Sequence, residues 1–228
     1  MTAAADAALR GTFDENVPVL VLRRNLGPFQ HGVLAVARSL GRVGVPVYAG
    51  KAHAREPATA SRYLRDGLPL PPHASEEEWL RSLLDLPRSY DGAILLAIDD
   101  LAAVTLGDHQ ERLLERFRLP RQPDGTQRRL ASKRELWRLC EALGLATPRS
   151  TFPESEAELL ERAADHGYPV VIKRSEPWHP PRDARAPSVM IARDRGELLR
   201  AYARMESTVR PQVMLQDYIP GDSDSVWM

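Results

Sequence analysis

Short apolar runs alternate with amphipathic segments in the first half of the chain, and this alternation most strongly limits the possible folds. The run VPVLVL (17–22) is apolar and β-branched, which predicts a buried strand. Residues 33–44 carry apolar side chains at helical spacing and end in glycine, and VPVYAG (45–50) predicts a second strand. A strand, a helix and a strand at this spacing form a βαβ unit, so we expect a parallel sheet.

The same alternation continues along the chain. An amphipathic helix is predicted over 76–86, and the clearest buried strand is DGAILLAI (91–98). A further helix is predicted over 99–117. We therefore expect a Rossmann-like parallel-sheet domain over 17–125, preceded by a loose tail at 1–16.

The second half of the chain has a different order of elements. The segment from 118 to 130 is polar and contains proline and glycine, so we place the domain boundary there and predict a second, α+β domain over 126–228. Apolar spacing in this domain predicts helices over 131–145, 156–167 and 194–205, and strands over 168–175, 188–193 and 213–222. An extended, proline-bearing connector is expected over 146–155.

Charge and composition exclude several classes of protein. The 31 Lys and Arg residues balance 31 Asp and Glu residues, so no net field attracts nucleic acid or an anionic membrane. The longest apolar run, 92–98, is far shorter than the roughly 20 residues that cross a bilayer. The N-terminus lacks the continuous apolar segment of a secretory signal. These features favour the cytoplasm.

The single cysteine, Cys140, cannot form a disulfide within the chain. It lies in helical register with Leu136 and Leu143, and we predict that it is a small buried apolar side chain rather than a nucleophile. A chain without internal disulfides also fits a reducing compartment.

Lysine is rare in this sequence. Among the 31 basic residues only three are lysines, at positions 51, 133 and 173. Lys173 ends the strand VVIK, and Lys133 lies in the first turn of a helix for which Ser132 is the expected N-cap. A cation in a first helical turn interacts unfavourably with the helix dipole. An anion that lies opposite the cation would offset this small cost. Phosphate binding and a solvated surface position are the two interpretations for Lys133 and for Lys173, whereas Lys51 has no such functional interpretation.

Four segments of the second half, taken in order, resemble the ATP-grasp superfamily: SKRELWRLCEALGLATPRS, YPVVIKRS, VMIARDRGELLRAY and VMLQDYIPGDSDS. They match a helix that opens on lysine, a strand that ends in lysine, a second strand with its helix, and a hinge strand. The Rossmann-like domain is similar to the one that usually precedes ATP-grasp. The resemblance implies an ATP-dependent ligase that converts a carboxylate to an acylphosphate, which an amine or thiol captures. Lys133 and Lys173 would contact the phosphates.

The resemblance also implies an adenine hinge at QDYIPG (216–221). The Asp217 carbonyl would accept a hydrogen bond from the adenine amino group, and the Ile219 N–H would donate to a ring nitrogen. Gln216 would assist through its side chain, and Asp224 would lie near the ribose hydroxyls. The alternative interpretation of these residues is an ordinary strand end followed by a Pro-Gly turn.

The loop 176–187 departs from the family pattern. The family usually has a glycine-rich loop here whose N–H groups close over the phosphates. This loop has four prolines and no glycine, and proline lacks that N–H. Arg182 or Arg185 could clamp a phosphate instead. The loop, which also carries Trp178 and His179, could equally bind a different ligand or none.

Other candidate residues are weaker. The six histidines form no metal-ligand pattern, and the turn after the first strand is not GxGxxG, so a nicotinamide cofactor is unsupported. Asn25 and His31 in that turn could touch an acceptor substrate, although a structural role is the better interpretation. Asp99 and Asp100 are best interpreted as acids at a helix N-terminus. No catalytic residue is assigned.

In the family, a second subdomain holds Mg²⁺ through acidic and Asn side chains, and no segment after Met228 remains to supply it. We therefore expect an incomplete ATP-grasp protein that is inactive by itself. Its expected cofactors are ATP and Mg²⁺, its substrate is a small carboxylate, and it could form a homo-oligomer. The competing hypotheses are a non-catalytic nucleotide-binding module and a Rossmann-like binder of small molecules.

Overall fold

The computed structural model describes residues 13–24, 31–50, 57–71, 74–176, 178–179, 181–183, 185–207 and 212–221. The chain forms two compact units, residues 1–128 and 129–228. The predicted boundary after residue 125 stays a prediction. Among the described residues, no helix has the length and apolar character needed to cross a bilayer.

The first unit alternates strands and helices, as the apolar runs predict. Its strands are β1 (Val19–Leu22), β2 (Val47–Gly50), β3 (Leu64–Leu68) and β4 (Ile94–Ala97). Its helices are α1 (His31–Arg42), α2 (Glu76–Leu84), α3 (Asp100–Asp108) and α4 (Gln110–Leu114), and short 3₁₀ turns cover Pro57–Ala60 and Arg88–Tyr90. A further short helix, α5 (Thr126–Ala131), crosses the division between the units.

The four strands form one parallel sheet in the order β3-β2-β1-β4, which confirms the predicted Rossmann-like architecture. All four residues of β1 are buried because the sheet is covered on both faces. Leu20 and Leu22 belong to the apolar cluster that includes α2 and α3, whereas Val19 and Val21 belong to the cluster that includes α1. The period of two along a strand explains this division.

One prediction in the first unit is wrong in detail, and one strand of this unit was not predicted. The helix expected over 99–117 is interrupted at His109, whose φ of −119° and ψ of 20° end α3 before α4 begins. The strand that was not predicted is β3. This strand reads LRDGL and lies at the sheet edge, where its charged residues are exposed and no apolar run marks it.

The second unit contains a separate antiparallel sheet in the order β5-β8-β6-β7. Its strands are β5 (Ser150–Thr151), β6 (Val170–Arg174), β7 (Val189–Ala192) and β8 (Val213–Asp217). Its helices are α6 (Lys133–Ala142), α7 (Glu156–His166) and α8 (Arg195–Met205). The connector expected over 146–155 therefore contains β5, an edge strand of two residues.

The two faces of this sheet differ. Val170, Ile172 and Leu215 belong to one buried apolar cluster with residues of α7 and α8. The alternate residues lie on the opposite face, where Lys173 pairs with Met214 and Val171 with Gln216 across β6 and β8. This alternation places Lys173 and Gln216 on the same open face.

The burial predicted for Cys140 is wrong. None of the residues of α6 is buried, and Cys140 is only half-buried. The residues Leu136 and Leu143 are 38% and 63% exposed. Helical spacing places these residues on one face of the helix, but spacing alone does not determine whether that face packs against a core.

Candidate functional site

A cleft of about 230 Å³ lies in the second unit. Nine residues line it, from α6, from the connector and from the open face of the sheet: Lys133, Leu136, Trp137, Cys140, Thr147, Pro148, Lys173, Met214 and Gln216. Three residues predicted from the sequence, Lys133, Lys173 and Gln216, are thus brought to one place although they lie far apart in the chain.

A chain of hydrogen bonds orients the polar side chains of this cleft. Lys173 Nζ donates to Gln216 Oε1 at 2.6 Å, and Gln216 Nε2 donates to Ser150 Oγ at 3.0 Å. Ser150 Oγ donates in turn to the Pro148 carbonyl at 2.9 Å. The Gln216 amide is therefore held with its oxygen toward the lysine and its nitrogen toward β5.

The electrostatics of the cleft favour an anion. Burial lowers the pKa of Lys173, and the positive charge of Lys133 lowers it further. The lining contains no Asp or Glu. Two cations are therefore close enough to repel each other, and an anion placed between them would relieve that repulsion.

Bonds at the start of α6 fix the spacing between the two lysines. The backbone N–H of Lys133 donates to the Ser175 carbonyl at 3.0 Å, two residues beyond Lys173. Ser132 caps α6 by accepting from the Glu135 N–H at 3.2 Å, as the sequence predicts. Its hydroxyl also donates to Glu176 Oε1 at 2.7 Å. These contacts tie the N-terminus of α6 to the end of β6.

Glu176 is the buried member of this arrangement. It is 7% exposed, and its Oε1 accepts from the hydroxyls of Ser132 and Ser175. Its Oε2 has no hydrogen-bond partner among the residues that the structure describes. A buried carboxylate depends strongly on each donor that it has.

We expect Ser132→Ala to lower the free energy of unfolding of the second unit by about 2 kcal/mol. The substitution removes a helix cap and one donor to Glu176. Ser155, the exposed cap of α7, accepts from the Glu158 N–H at 3.1 Å and provides a matched control. Ser155→Ala should cost about 1 kcal/mol or less, because it removes only the cap. Urea unfolding of both variants measures the difference, and equal losses would contradict the contribution of Glu176.

The other predicted hinge residues do not line the cleft. Asp217 ends β8, and its carboxylate accepts from Arg149 and from His166. These two partners lower the pKa of Asp217, Arg149 more than His166. Ile219 is 68% exposed. The predicted backbone contacts of both residues with adenine stay predictions, and Asp224 lies outside the described residues.

The described part of the loop 176–187 is fastened to the C-terminal end of α8. The Arg182 N–H donates to the Glu206 carbonyl at 2.7 Å, and the Arg182 guanidinium lies 3.4 Å from the Glu206 carboxylate. Arg204 donates to Asp183 at 2.9 Å and to the Arg185 carbonyl at 3.2 Å. Neither of the two arginines proposed for phosphate lines the cleft.

In the first unit, the two acidic residues predicted at a helix N-terminus, Asp99 and Asp100, lie at the start of α3. Asp99 caps α3 by accepting from the Ala102 N–H at 2.8 Å, and its other oxygen accepts from the Arg24 N–H at 2.8 Å. Asp100 lies in the first turn of the same helix, which confirms the sequence interpretation. His31 begins α1, and Asn25 and Lys51 lie outside the described residues. Within the described ranges, no group of three His, Cys, Asp or Glu side chains is arranged to hold a metal ion.

Sequence reasoning missed several residues of the cleft. Met214 lies two residues before Gln216 on β8, so the period of two would have placed it on the same face. Trp137 follows Lys133 by one helical turn, so helical spacing would have placed it on the same face as Lys133. Pro148, which lines the cleft, and Ser150, which bonds to the lining residue Gln216, could not be predicted, because their place depends on the pairing of β5 with β8.

No family model and no curated protein matches the chain. Among solved structures, it is similar to an L-amino acid ligase from Bacillus licheniformis, with 19% identity and a TM-score of 0.60 over 92% of this chain and 46% of that one. It is also similar to N5-carboxyaminoimidazole synthetase from Staphylococcus aureus complexed with ADP, with 10% identity and a TM-score of 0.61 over 92% and 50% of the two chains.

A third similar structure is the biotin carboxylase domain of a 2-oxoglutarate carboxylase from Hydrogenobacter thermophilus, determined with MgADP and bicarbonate. It has 19% identity and a TM-score of 0.53, over 89% of this chain and 44% of that one. The chain spans about half the length of the solved structures that it matches. At these identities the likeness concerns the fold. The chain therefore has the mixed α/β fold of about half of each of these enzymes.

Proposed function

We propose that the chain is part of an ATP-dependent ligase that activates a carboxylate as an acylphosphate for capture by an amine or a thiol. The cleft of the second unit is the proposed nucleotide site. The observation that carries the proposal is that Lys133 and Lys173 line one cleft, so close that the charge of one lowers the pKa of the other. Two of the similar structures contain ADP, which supports a nucleotide as the ligand.

The chemistry of the cleft suits this role. The two ammonium groups can neutralise phosphate oxygens, while Leu136, Trp137 and Met214 offer an apolar wall to an aromatic base. Phosphoryl transfer requires positioning and charge neutralisation more than covalent help from the protein. Transfer of a phosphoryl group to the substrate carboxylate creates the leaving group that a free carboxylate lacks.

Residues are proposed for the contacts with adenine and ribose, but none is proposed for a metal ion. The Asp217 carbonyl and the Ile219 N–H are the proposed contacts of the adenine, and Asp224 is the proposed contact of the ribose. Mg²⁺ is implied by the family resemblance, but the described residues do not fit it, since they contain no cluster of metal ligands.

The test of nucleotide binding is a thermal or urea unfolding experiment with ATP and with GTP. ATP at 100 times its Kd should raise the unfolding free energy by about 2.7 kcal/mol. GTP should raise it less, because its base carries a carbonyl where adenine has the amino group that the Asp217 carbonyl would bind. Absence of a shift with either nucleotide at millimolar concentration would contradict the proposed site.

Turnover needs a separate measurement. We expect residues 1–228 to bind ATP without forming ADP, because the resemblance assigns the Mg²⁺ ligands to a second subdomain. Formation of ADP that depends on both a carboxylate and an amine would contradict this expectation and would establish ligase activity directly.

A further inference from the structure

The side chain of Asp217 belongs to a polar cluster on the far side of β8 from the cleft. Gln216 lines the cleft, and the next residue along the strand projects to the opposite face. There, Arg149 Nε lies 3.3 Å from each carboxylate oxygen of Asp217, and Arg149 Nη2 lies 3.0 Å from Oδ1. This arrangement resembles the two-pronged pairing that makes arginine a good partner for a carboxylate.

His166 completes the cluster from the last residue of α7. Its side chain is only 1% exposed, and its Nδ1 lies 2.6 Å from Asp217 Oδ1. An ionised carboxylate can only accept, so Nδ1 carries the proton and donates it. The other ring nitrogen, Nε2, lies 3.0 Å from the Thr151 hydroxyl on β5. Both ring nitrogens of a buried histidine are thereby occupied.

The cluster joins three elements at one point. Arg149 and Thr151 lie at β5, His166 ends α7, and Asp217 ends β8. Arg149 Nη2 also donates to the Asp165 carbonyl at 3.0 Å, and the Arg149 carbonyl accepts from the Asp217 N–H at 3.0 Å. Main-chain and side-chain bonds therefore hold the same residue, Asp217, immediately before the segment 218–221, which is neither helix nor strand.

We propose that Asp217 is a positioning residue whose side chain, clamped by Arg149 and His166, orients the backbone that reads the adenine. This inference rests on the proposed nucleotide site and assigns a role to a side chain that does not touch the nucleotide. A hydrogen bond to a base depends strongly on the angle of the carbonyl or N–H that makes it. A strand end held by charged bonds keeps its peptide groups in one orientation and spares the entropy of ordering them when ligand binds.

The test uses ligands that separate the two ends of the nucleotide. Wild type and Asp217→Asn are titrated with adenosine and with inorganic tripolyphosphate, and binding is followed by NMR or calorimetry. We expect Asp217→Asn to weaken adenosine binding roughly tenfold, because the carboxylate loses its charge and the strand end loses its clamp. Tripolyphosphate binding, which depends on the two lysines, should stay unchanged. Arg149→Met should act like Asp217→Asn, since it removes the partner from the other side.

Asp91→Asn is the matched control. Asp91 is 38% exposed and pairs with Arg116, whereas Asp217 is 36% exposed and pairs with Arg149, but Asp91 lies in the first unit. The control should change neither affinity. Equal weakening of adenosine and tripolyphosphate by Asp217→Asn would overturn the inference, because a general loss of structure would act in that way. Unchanged adenosine binding would also overturn it.

The failure of the inference can be distinguished from the failure of the proposed site. Wild-type protein that bound neither adenosine nor ATP would reject the nucleotide site itself, and the clamp with it. Wild-type protein that bound both, with variants that did so equally well, would reject only the role of Asp217. Circular dichroism of each variant, measured before titration, identifies any variant that has not folded.

Discussion

Lys173→Met is expected to weaken ATP binding while it stabilises the protein without ligand. The substitution removes the proposed charged donor to phosphate, for which we expect a loss in affinity of about 30-fold to 100-fold. In the absence of ligand, the lysine ammonium is partly buried and faces the charge of Lys133, and both effects lower its pKa. An apolar side chain of similar length avoids that cost. Opposite changes in binding and stability are typical of a residue kept for function.

The pH dependence of this stabilisation has a definite sign. Because the pKa of Lys173 is lower in the folded protein than the ordinary value of 10.5, the charged lysine disfavours folding. The gain from Lys173→Met should be complete at pH values below the lowered pKa. It should disappear as the pH rises through the lowered pKa toward the ordinary one, since the lysine is then neutral in both states. Urea unfolding between pH 7 and pH 11 measures this dependence.

The neighbouring residue, Arg174, provides the control for Lys173. Burial lowers its pKa as well, and it follows Lys173 on the same strand, but it does not line the cleft. Arg174→Met should leave the ATP affinity unchanged. A loss of affinity equal to that of Lys173→Met would indicate that any cation at the end of β6 has the same effect, and would contradict a specific role for Lys173.

Ile172→Ala is expected to cost about 2 to 5 kcal/mol of the free energy of unfolding of the second unit. Ile172 is completely buried on the helix-covered face of the sheet, in the cluster that includes Leu159, Leu198 and Leu215. Truncating it removes apolar contacts and leaves a cavity that the surrounding helices can fill only in part. Urea unfolding monitored by circular dichroism measures the loss.

Ile191→Ala is the matched control for this loss. The same residue type lies on the adjacent strand β7, paired with Val171, and its side chain is 41% exposed. Its truncation should cost less than about 1 kcal/mol, because little buried surface is removed. Similar losses for the two isoleucines would contradict the description of one covered and one open face. They would also indicate that the face assigned to the ligand is covered in the folded protein.

The sequence by itself determined the elements whose cause is local. β1 could be predicted because an apolar, β-branched run of that length is stable only between two covered faces, and the parallel sheet followed from the spacing of β1, α1 and β2. Ser132 could be identified as a cap, because a capping side chain bonds within its own first helical turn.

The tertiary structure alone decided how the candidate site is assembled. Lys173 and Gln216 share a face by the period of two, but only the pairing of β6 with β8 brings the lysine ammonium to the glutamine oxygen. Cys140 has the spacing of a core residue, but in the folded unit it is only half-buried and lines the cleft. The Asp217 side chain meets partners 51 and 68 residues away. Such contacts depend on how strands pair and which face is covered, and no local pattern contains that information.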